Sequence, residues 1–461
     1  MNKKCAIILA GGKGTRMKTQ TPKVMCEVLF KPMVSYVIDA VKEAGCEDVC
    51  VVTGHCREIV EAALPADVET AFQAERLGTG HAVMQTTDFI SRHIGWDVLI
   101  LNGDGPMIDA ETINQAYDYH RENNNMITLI SAYVDDTNGI GHIKRDENGV
   151  LERIIEHKDA NDEEKKINES NAGIYWFNAE KLLYALSKIT NNNVQNEYYL
   201  TDTLAILIAD GCNAGGFVVG DATVTLGAND RIQLNHLNTL MRDRINKKLM
   251  LEGVDIPCTD GVMIGKDVKI GNDTTILPNT IITGNTVIGH GCKIGPNCIL
   301  NDAKIGDNAV LSNTRVDTAE MADGSDAGPY ANIHKGSKLC AGVHIGNFVE
   351  VKNSVVGEKT KSAHLTYIGD SNVGSGVNFG CGVVTVNYDG KNKSRTIIGN
   401  NAFIGCNTNL IAPVQVGDNA YIAAGSTITD QVPADALSIA RAKQVNKDGW
   451  VTIKKPYKEK K

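Results

Sequence analysis

Between residues 264 and 428 an aliphatic side chain returns at nearly every sixth position, usually followed by Gly or another small residue. No other feature of the chain limits its fold as strongly. The series opens with Ile264, Ile270, Ile276, Ile282, Ile288, Ile294 and Leu300. It slips by one to Ile305 and Leu311, recovers through Met321, Ala327, Ile333, Leu339, Ile345 and Val351, and slips again to Val356. It is clean again at Ile398, Ile404, Leu410, Val416, Ile422 and Ile428. Six is the step of a hexapeptide β-helix, in which each short strand turns one aliphatic inward onto the coils above and below. A single coil cannot bury its own apolar face, so such a ladder is cooperative along its axis. A sandwich with many Gly turns would space its strands more widely and less regularly.

At 461 residues the chain exceeds one ordinary core, so two or three domains are expected. The 46 Lys and Arg against 55 Asp and Glu leave a charge of −9, which argues against nucleic acid or an anionic membrane as the main partner. Only the tail 454–461 is basic. No apolar run approaches the roughly 18 residues of a membrane span, and residues 5–10 are too short for a signal-peptide core, so a cytoplasmic protein is expected. The 12 Cys show no CxxC pair and no zinc spacing, and read as small core residues in a reducing compartment.

The first half alternates strand and helix patterns: a buried strand at 5–10, a helix near 34–44, a strand at 49–53, a helix near 58–64 and a strand at 98–102. That alternation predicts an α/β layer with a mostly parallel sheet, whose ligands sit beyond the carboxyl ends of the strands. There the chain reads Gly11-Gly12-Lys13-Gly14-Thr15-Arg16. The spacing is neither GxxxxGK[ST] nor GxGxxG. Its physics is still that of a phosphate cradle, because Gly admits backbone amides close to oxyanions while Lys13, Arg16 and Lys23 add charge. Asp104 follows the 98–102 strand, where a carboxylate can hold Mg²⁺ against phosphate oxygens.

The string L-A-G-G-K-G-T-R-M over 9–17, with Pro22-Lys23-Val24, resembles the signature of sugar-phosphate nucleotidyltransferases. With the hexapeptide ladder, the chain resembles the bifunctional bacterial family that makes UDP-N-acetylglucosamine. The resemblance implies an α/β Rossmann-like nucleotidyltransferase domain at 1–229, a helical linker at 230–253, and a left-handed parallel β-helix acetyltransferase domain at 254–461. It implies catalytic roles for Arg16 and Lys23, and a UTP and UDP-N-acetylglucosamine site at Leu9, Ala10, Gly11, Gly12, Lys23, Gln73, Gly78, Thr79, Asn102, Asp104, Gly141, Glu156, Asn171, Tyr199, Thr201 and Asn229. Asp104 and Asn229 are the implied Mg²⁺ ligands. Two positions depart from the family pattern: His142 stands where Arg is usual, and Asn102 where an aromatic can stand.

Apolar residues at helical spacing over 230–253 predict one helix ending near Gly253. The pattern does not separate a strut between domains from a helix packed on the first domain; the family favours the strut. In the ladder, the beat between Val356 and Ile398 is poorer in aliphatics, and 387–396 interrupts it, so a loop thrown out from the coil is expected there. The resemblance places acetyl transfer here, with His364 as the base, since an imidazole can take the proton of an attacking amine near neutral pH. It implies glucosamine-1-phosphate contacts at His334, Lys352, Tyr367 and Asn378. It implies acetyl-CoA contacts at Cys381, Asn387, Tyr388, Lys393, Cys406, Ala424 and Arg441, with Asn387 and Tyr388 also near the sugar phosphate. Cys406 stands where Ser is expected and Cys381 where Ala is, and neither is read as a nucleophile because direct transfer needs no covalent intermediate. The main departure is Ile333-His334-Lys335-Gly336, where the family carries Arg in place of His334. Arg grips phosphate through two hydrogen bonds, so a weaker hold on the sugar phosphate is expected. Lys335 is a poor substitute if adjacent strand residues face opposite ways.

These features imply a two-site enzyme that acetylates glucosamine-1-phosphate from acetyl-CoA and joins the product to UTP, with Mg²⁺ as cofactor. A homotrimer through the β-helix is implied by the family and not by the period itself. Two narrower readings stay open: a uridyltransferase with an impaired acetyltransferase site, and a non-catalytic scaffold subunit. Arg16, Lys23, Asp104, Asn229 and His364 together weigh against the scaffold.

Overall fold

The computed structural model describes residues 3–135 and 139–456; most of the basic tail, 457–461, lies outside them. The chain divides into two compact units, Met1–Asp243 and Arg244–Lys461. The division falls inside the helix Arg231–Leu251, which occupies the expected linker stretch.

The first unit is built on a twisted sheet. Its main path runs Ala214–Val218, Ile127–Tyr133, Glu169–Asn178, Asp97–Asn102, Lys4–Leu9, Asp48–Thr53, Glu69–Phe72. All neighbours on this path are parallel except Glu169–Asn178, which runs antiparallel to both of its neighbours. Residues alternate between the two faces of a strand. Ala6 and Ile8 accordingly feed one core, and Cys5 and Ile7 another. Both faces are covered, which is why the central strands read as unbroken apolar runs. The expected helix at 34–44 is Met33–Glu43, while that at 58–64 is only Arg57–Glu61.

The second unit is a left-handed parallel β-helix. The inward residues stack in three columns, one per face. One runs Ile264, Ile282, Leu300, Val316, Ile333, Val351, Ile368. Another runs Ile270, Ile288, Ile305, Met321, Leu339, Val356, Val373, Ile398, Val416. The third runs Ile276, Ile294, Leu311, Ala327, Ile345, Ser362, Phe379, Ile404, Ile422. Between Val356 and Thr385 the ladder continues without a break. Buried Ser362 and Thr385 take inward positions that hold aliphatics elsewhere, so a rule that counts aliphatics misses them. The actual interruption is the loop between strands Val384–Val386 and Thr396–Ile398, where the sequence places it.

Not all cysteines are core. Cys5, Cys26, Cys46, Cys50, Cys292 and Cys298 are buried, whereas Cys258, Cys381 and Cys406 are exposed. Cys381 and Cys406 sit in turns, not at inward rung positions.

Candidate functional site

The Gly-rich segment leaves the carboxyl end of strand Lys4–Leu9, in register with the end of Asp97–Asn102, where Leu9 stands opposite Asn102. Two cavities open there, of about 440 and 620 Å³, sharing Arg16, Asn102, Asp104 and Asn229. Leu9, Gly11, Gly12, Lys23, Gln73, Gly78 and Thr79 line the first, and Asn171 lines the second. Ala10 is buried and its N–H donates to Val52 O at 2.9 Å, so it supports the loop without facing the cavity.

Close packing dictates the glycines. Gly14 has φ +59°, and a Cβ there would stand 2.6 Å from Lys23 Cβ. Gly78 has φ +108°, and a Cβ would stand 2.5 Å from Tyr198 O. Left-handed backbone of this kind strongly favours Gly. Thr79 Oγ1 accepts from Leu200 N–H at 3.1 Å. Gln73 is buried, its Nε2 donating to Gly78 O at 3.1 Å, and its Oε1 would lie 3.0 Å from a Cβ on Gly11. The amide thus spans the two Gly segments of the cavity.

The Lys23 ammonium donates to Asn229 Oδ1 at 2.6 Å and pairs with Asp104 Oδ2. Asp104 comes from the turn after one strand and Asn229 from the segment before helix Arg231–Leu251, so two elements far apart in sequence aim oxygens at one cation. This convergence tests the implied Mg²⁺. Mg²⁺ uses one or two protein carboxylates and takes its remaining ligands from phosphates and water. Two oxygens already gathered on a cation fit that requirement. Among the described residues no group of three or more His, Cys, Asp and Glu is placed to hold a metal.

Glu156, Tyr199 and Thr201 line a separate depression of about 330 Å³. Thr201 Oγ1 donates to Glu156 Oε1 at 3.1 Å, and Gln195 Nε2 donates to Tyr199 Oη at 2.7 Å. Burial pushes the Glu156 carboxyl above its ordinary value, and Asp159, Asp202 and Glu197 push it the same way against the Thr201 hydrogen bond. Gly141 and Asn171 join this region to the main cavity, since Asn171 N–H donates to Gly141 O at 2.8 Å. Asn171 Nδ2 donates to Tyr175 Oη at 2.6 Å. His142 lines none of these three cavities: it is fully buried, with Nδ1 at 3.0 Å from Ile167 O and Nε2 at 3.2 Å from His157 Nδ1. Arg76 and Glu197 also line the first cavity, and Gln233 and His236 the second. The local motifs of the sequence did not point to these four.

On the β-helix, His364 lies exposed on strand Lys361–Gly369, opposite Asn347 of strand His344–Lys352. Tyr367 is on the same strand, and Asn387 Nδ2 approaches its Oη at 3.4 Å. The group that organises this end is Asp370, which follows strand Lys361–Gly369. Its two carboxylate oxygens accept from Asn353 and from Asn387, which pins the root of the 387–396 loop to the coil. Burial acts to raise the Asp370 carboxyl, but these hydrogen bonds and the charges of Lys393 and Arg395 hold it below its ordinary value. Tyr388 and Lys393 bridge across the loop, and Asp389 accepts from the N–H groups of Lys391 and Asn392. Lys352 and Asn378 are exposed, Lys352 in register with Gly369 and Asn378 with Lys361. Ala424 and Arg441 lie on later coils, where a Cβ on Gly425 would stand 3.7 Å from Arg441 Cδ.

His334 Nε2 stands 2.9 Å from Glu350 Oε1, so the imidazole already faces a carboxylate. Lys335 is exposed in a turn closed by Ser337 N–H to His334 O at 3.2 Å. It is therefore a turn residue, and the strand alternation used to judge it does not apply.

An α/β sheet with a Gly-rich phosphate cradle and a converging Asp–Asn pair, joined to a hexapeptide coil, defines a nucleotidyltransferase coupled to an acyltransferase-type β-helix. A nucleotidyl transferase model matches residues 5–223, a bacterial transferase hexapeptide model residues 395–430, and a hexapeptide repeat of succinyl-transferase residues 285–313. The bifunctional protein GlmU of Acetivibrio thermocellus is 47% identical over 450 residues, 98% of this chain and 97% of that protein. GlmU proteins of Clostridium botulinum (strain Langeland) and Clostridioides difficile are 48% and 46% identical over 98% and 97% of the chain. The chain belongs to the bifunctional GlmU family, and it is a transferase.

Proposed function

We propose that the chain makes UDP-N-acetylglucosamine by two transfers. The β-helix moves an acetyl group from acetyl-CoA to glucosamine-1-phosphate. The α/β unit then joins N-acetylglucosamine-1-phosphate to UTP and releases pyrophosphate. The observation that carries the reading is the Lys23 ammonium held between Asp104 and Asn229 at the floor of the Gly-rich cavity.

In the uridylyl step the sugar phosphate oxygen attacks the α-phosphorus of UTP. Gly11 and Gly12 let the loop backbone approach the phosphates, while Arg16 and Lys23 offset the charge that builds there. Gln73, Gly78 and Thr79 position the nucleoside. Gly141, Glu156, Asn171, Tyr199 and Thr201 face the sugar. Asp104 and Asn229 would hold Mg²⁺, which when bound supplies charge neutralisation on the phosphates.

In the acetyl step His364 takes the proton from the glucosamine amine as nitrogen attacks the thioester carbonyl, and the CoA thiol leaves. His334, Lys352, Tyr367 and Asn378 face the sugar phosphate. Cys381, Asn387, Tyr388, Lys393, Cys406, Ala424 and Arg441 line the approach of acetyl-CoA.

The assembly is a homotrimer through the β-helix. Tyr330, Phe348 and Leu365 support it, being apolar, 58–59% exposed, and placed at matching register positions of three successive coils. The rings of Tyr330 and Phe348 stack at 5.4 Å, and both residues have positive φ, a conformation that is strained for large side chains and recurs where function demands it. No helix among the described residues is long and apolar enough to cross a membrane.

Two assays on purified protein test the reading. With UTP, Mg²⁺ and N-acetylglucosamine-1-phosphate, pyrophosphate is released, and EDTA abolishes the release. With acetyl-CoA and glucosamine-1-phosphate, free thiol appears. Silence in both assays would favour the scaffold.

A further inference from the structure

Six of the cysteines are buried in the two units. Burial pushes the thiols of Cys46 and Cys50 up to about 12, which keeps them protonated and unreactive. Cys381 and Cys406 differ in being exposed, and the coil geometry brings them together. Asn378 and Phe379 stand in register with Phe403 and Ile404. Beyond that pair, Gly380 N–H donates to Ile404 O at 2.7 Å and Asn407 N–H donates to Cys381 O at 2.8 Å, so Cys381 is level with Cys406 on the next coil. A Cβ on Gly380 would stand 2.9 Å from Cys406 Sγ, so the Cys406 sulfur leans back over the coil that carries Cys381. Parallel neighbours are about 4.8 Å apart, inside the Cα separation of roughly 4.4–6.8 Å that a disulfide spans.

The same column carries His364. Lys361 and Ser362 are in register with Asn378 and Phe379, which sets His364 level with Cys381 on the other side. In the opposite direction, Gly425 N–H donates to Cys406 O at 2.8 Å, setting Ala424 level with Cys406. His364, Cys381, Cys406 and Ala424 thus occupy one register position on four successive coils.

We propose that Cys381 and Cys406 are a modification site for low-molecular-weight disulfides, closing into a reversible cross-coil disulfide that shuts down acetyl transfer. The inhibition, though not the bond itself, rests on the acetyltransferase reading above. The Cys381 thiolate attacks one sulfur of R–S–S–R, forms a mixed disulfide and releases one RSH. The Cys406 thiolate then attacks the Cys381 sulfur, forms the Cys381–Cys406 bond and releases the second RSH. Two electrons pass from the cysteine pair to the small disulfide, and the two cysteine protons end on the two thiols released. The closed bond draws Cys406 toward Cys381 and reshapes the wall next to His364, where small misplacements of reacting groups are costly.

The test treats the full-length protein with oxidised glutathione. Unreduced peptides are mapped by mass spectrometry, and both transferase rates are measured before oxidation, after it, and after dithiothreitol. A Cys381–Cys406 linked peptide is expected, with acetyl transfer reduced on the order of tenfold or more, restored by dithiothreitol, and uridylyl transfer unchanged. In the double variant Cys381→Ala with Cys406→Ala, whatever acetyl transfer survives no longer responds to oxidised glutathione. Glutathione adducts on separate cysteines without a link, a linked protein with undiminished acetyl transfer, or a double variant still sensitive to oxidation would each overturn the proposal. A linked peptide in protein that transfers no acetyl group even when reduced upholds the pair and counts against the acetyltransferase reading instead.

Discussion

His334 carries its imidazole 2.9 Å from the Glu350 carboxylate and presents one ring edge where a guanidinium would present a fork. A phosphate arriving there meets an imidazole that already stands beside an anion. His334→Arg should therefore lower the KM for glucosamine-1-phosphate, by roughly tenfold if one charge-assisted hydrogen bond of about 1.5 kcal/mol is gained. Steady-state kinetics of acetyl transfer check this, and an unchanged KM refutes the weakened grip. Glu156 poses the opposite case, a carboxylate whose burial and acidic neighbours favour its protonated form. Its folded pKa lies above the unfolded one, so its contribution to stability is full below the unfolded value and is lost as pH rises through the folded value. Glu156→Gln removes the charge that must be buried at neutral pH. Thermal melts should show the variant gaining stability over wild type at pH 7–8, with the gain shrinking toward pH 4. Uridylyl transfer should fall in the same variant if Glu156 meets the sugar. A variant less stable than wild type at neutral pH would show that the Thr201 hydrogen bond outweighs the burial cost.

At the scale of elements, the 387–396 loop hangs on Asp370, whose carboxylate joins Asn353 of one coil to Asn387 at the loop's root. Its pKa is depressed, so the stabilisation it provides is present above its unfolded value near 3.9 and is lost as pH falls through the folded value. Asp370→Asn should leave the coil folded, raise the hydrogen-exchange rate of 387–395, and lower acetyl transfer while sparing uridylyl transfer. Unaltered exchange in the loop would mean that the Tyr388–Lys393 bridge alone shapes it. Asp370 also shows what a sequence gives up readily and what it hides. The strands and the six-residue beat were legible because burial imposes a period, and Lys23, Asp104 and His364 because their motifs are local. Asp370 carries no local signal, since its partners lie 17 residues away on either side, one coil's length. Ser362 and Thr385 escape a count of aliphatics for a related reason: both are small enough for an inward rung, and Thr385 Oγ1 is satisfied there by Gly369 N–H of the preceding coil at 2.7 Å. The direction of the His142 ring is not legible from a family position, which says nothing about which way a side chain turns; here it turns inward onto His157.

For the whole molecule, the question is why a β-helix that buries its aliphatics internally should leave Tyr330, Phe348 and Leu365 in solvent. Coils elsewhere place Asn or Gly at the positive-φ turn position, as at Asn297, Asn407 and Gly425. Tyr330 and Phe348 accept that backbone with large rings, which costs on the order of 1–3 kcal/mol per residue and needs a return from outside the coil. In the proposed trimer a neighbouring copy packing on the stripe would supply it, and Leu365 follows His364 directly, so the same contact would complete the acetyl site. Phe348→Asp places a charge in the middle of that stripe without touching any inward column. The expected outcome is a shift from trimer to monomer in analytical ultracentrifugation, with loss of acetyl transfer and retention of uridylyl transfer, whose residues all lie in the other unit. If the variant stays trimeric, the stripe is not the interface. If it is monomeric yet still acetylates glucosamine-1-phosphate, then each coil holds a complete site of its own, and the strain at Tyr330 and Phe348 serves assembly alone.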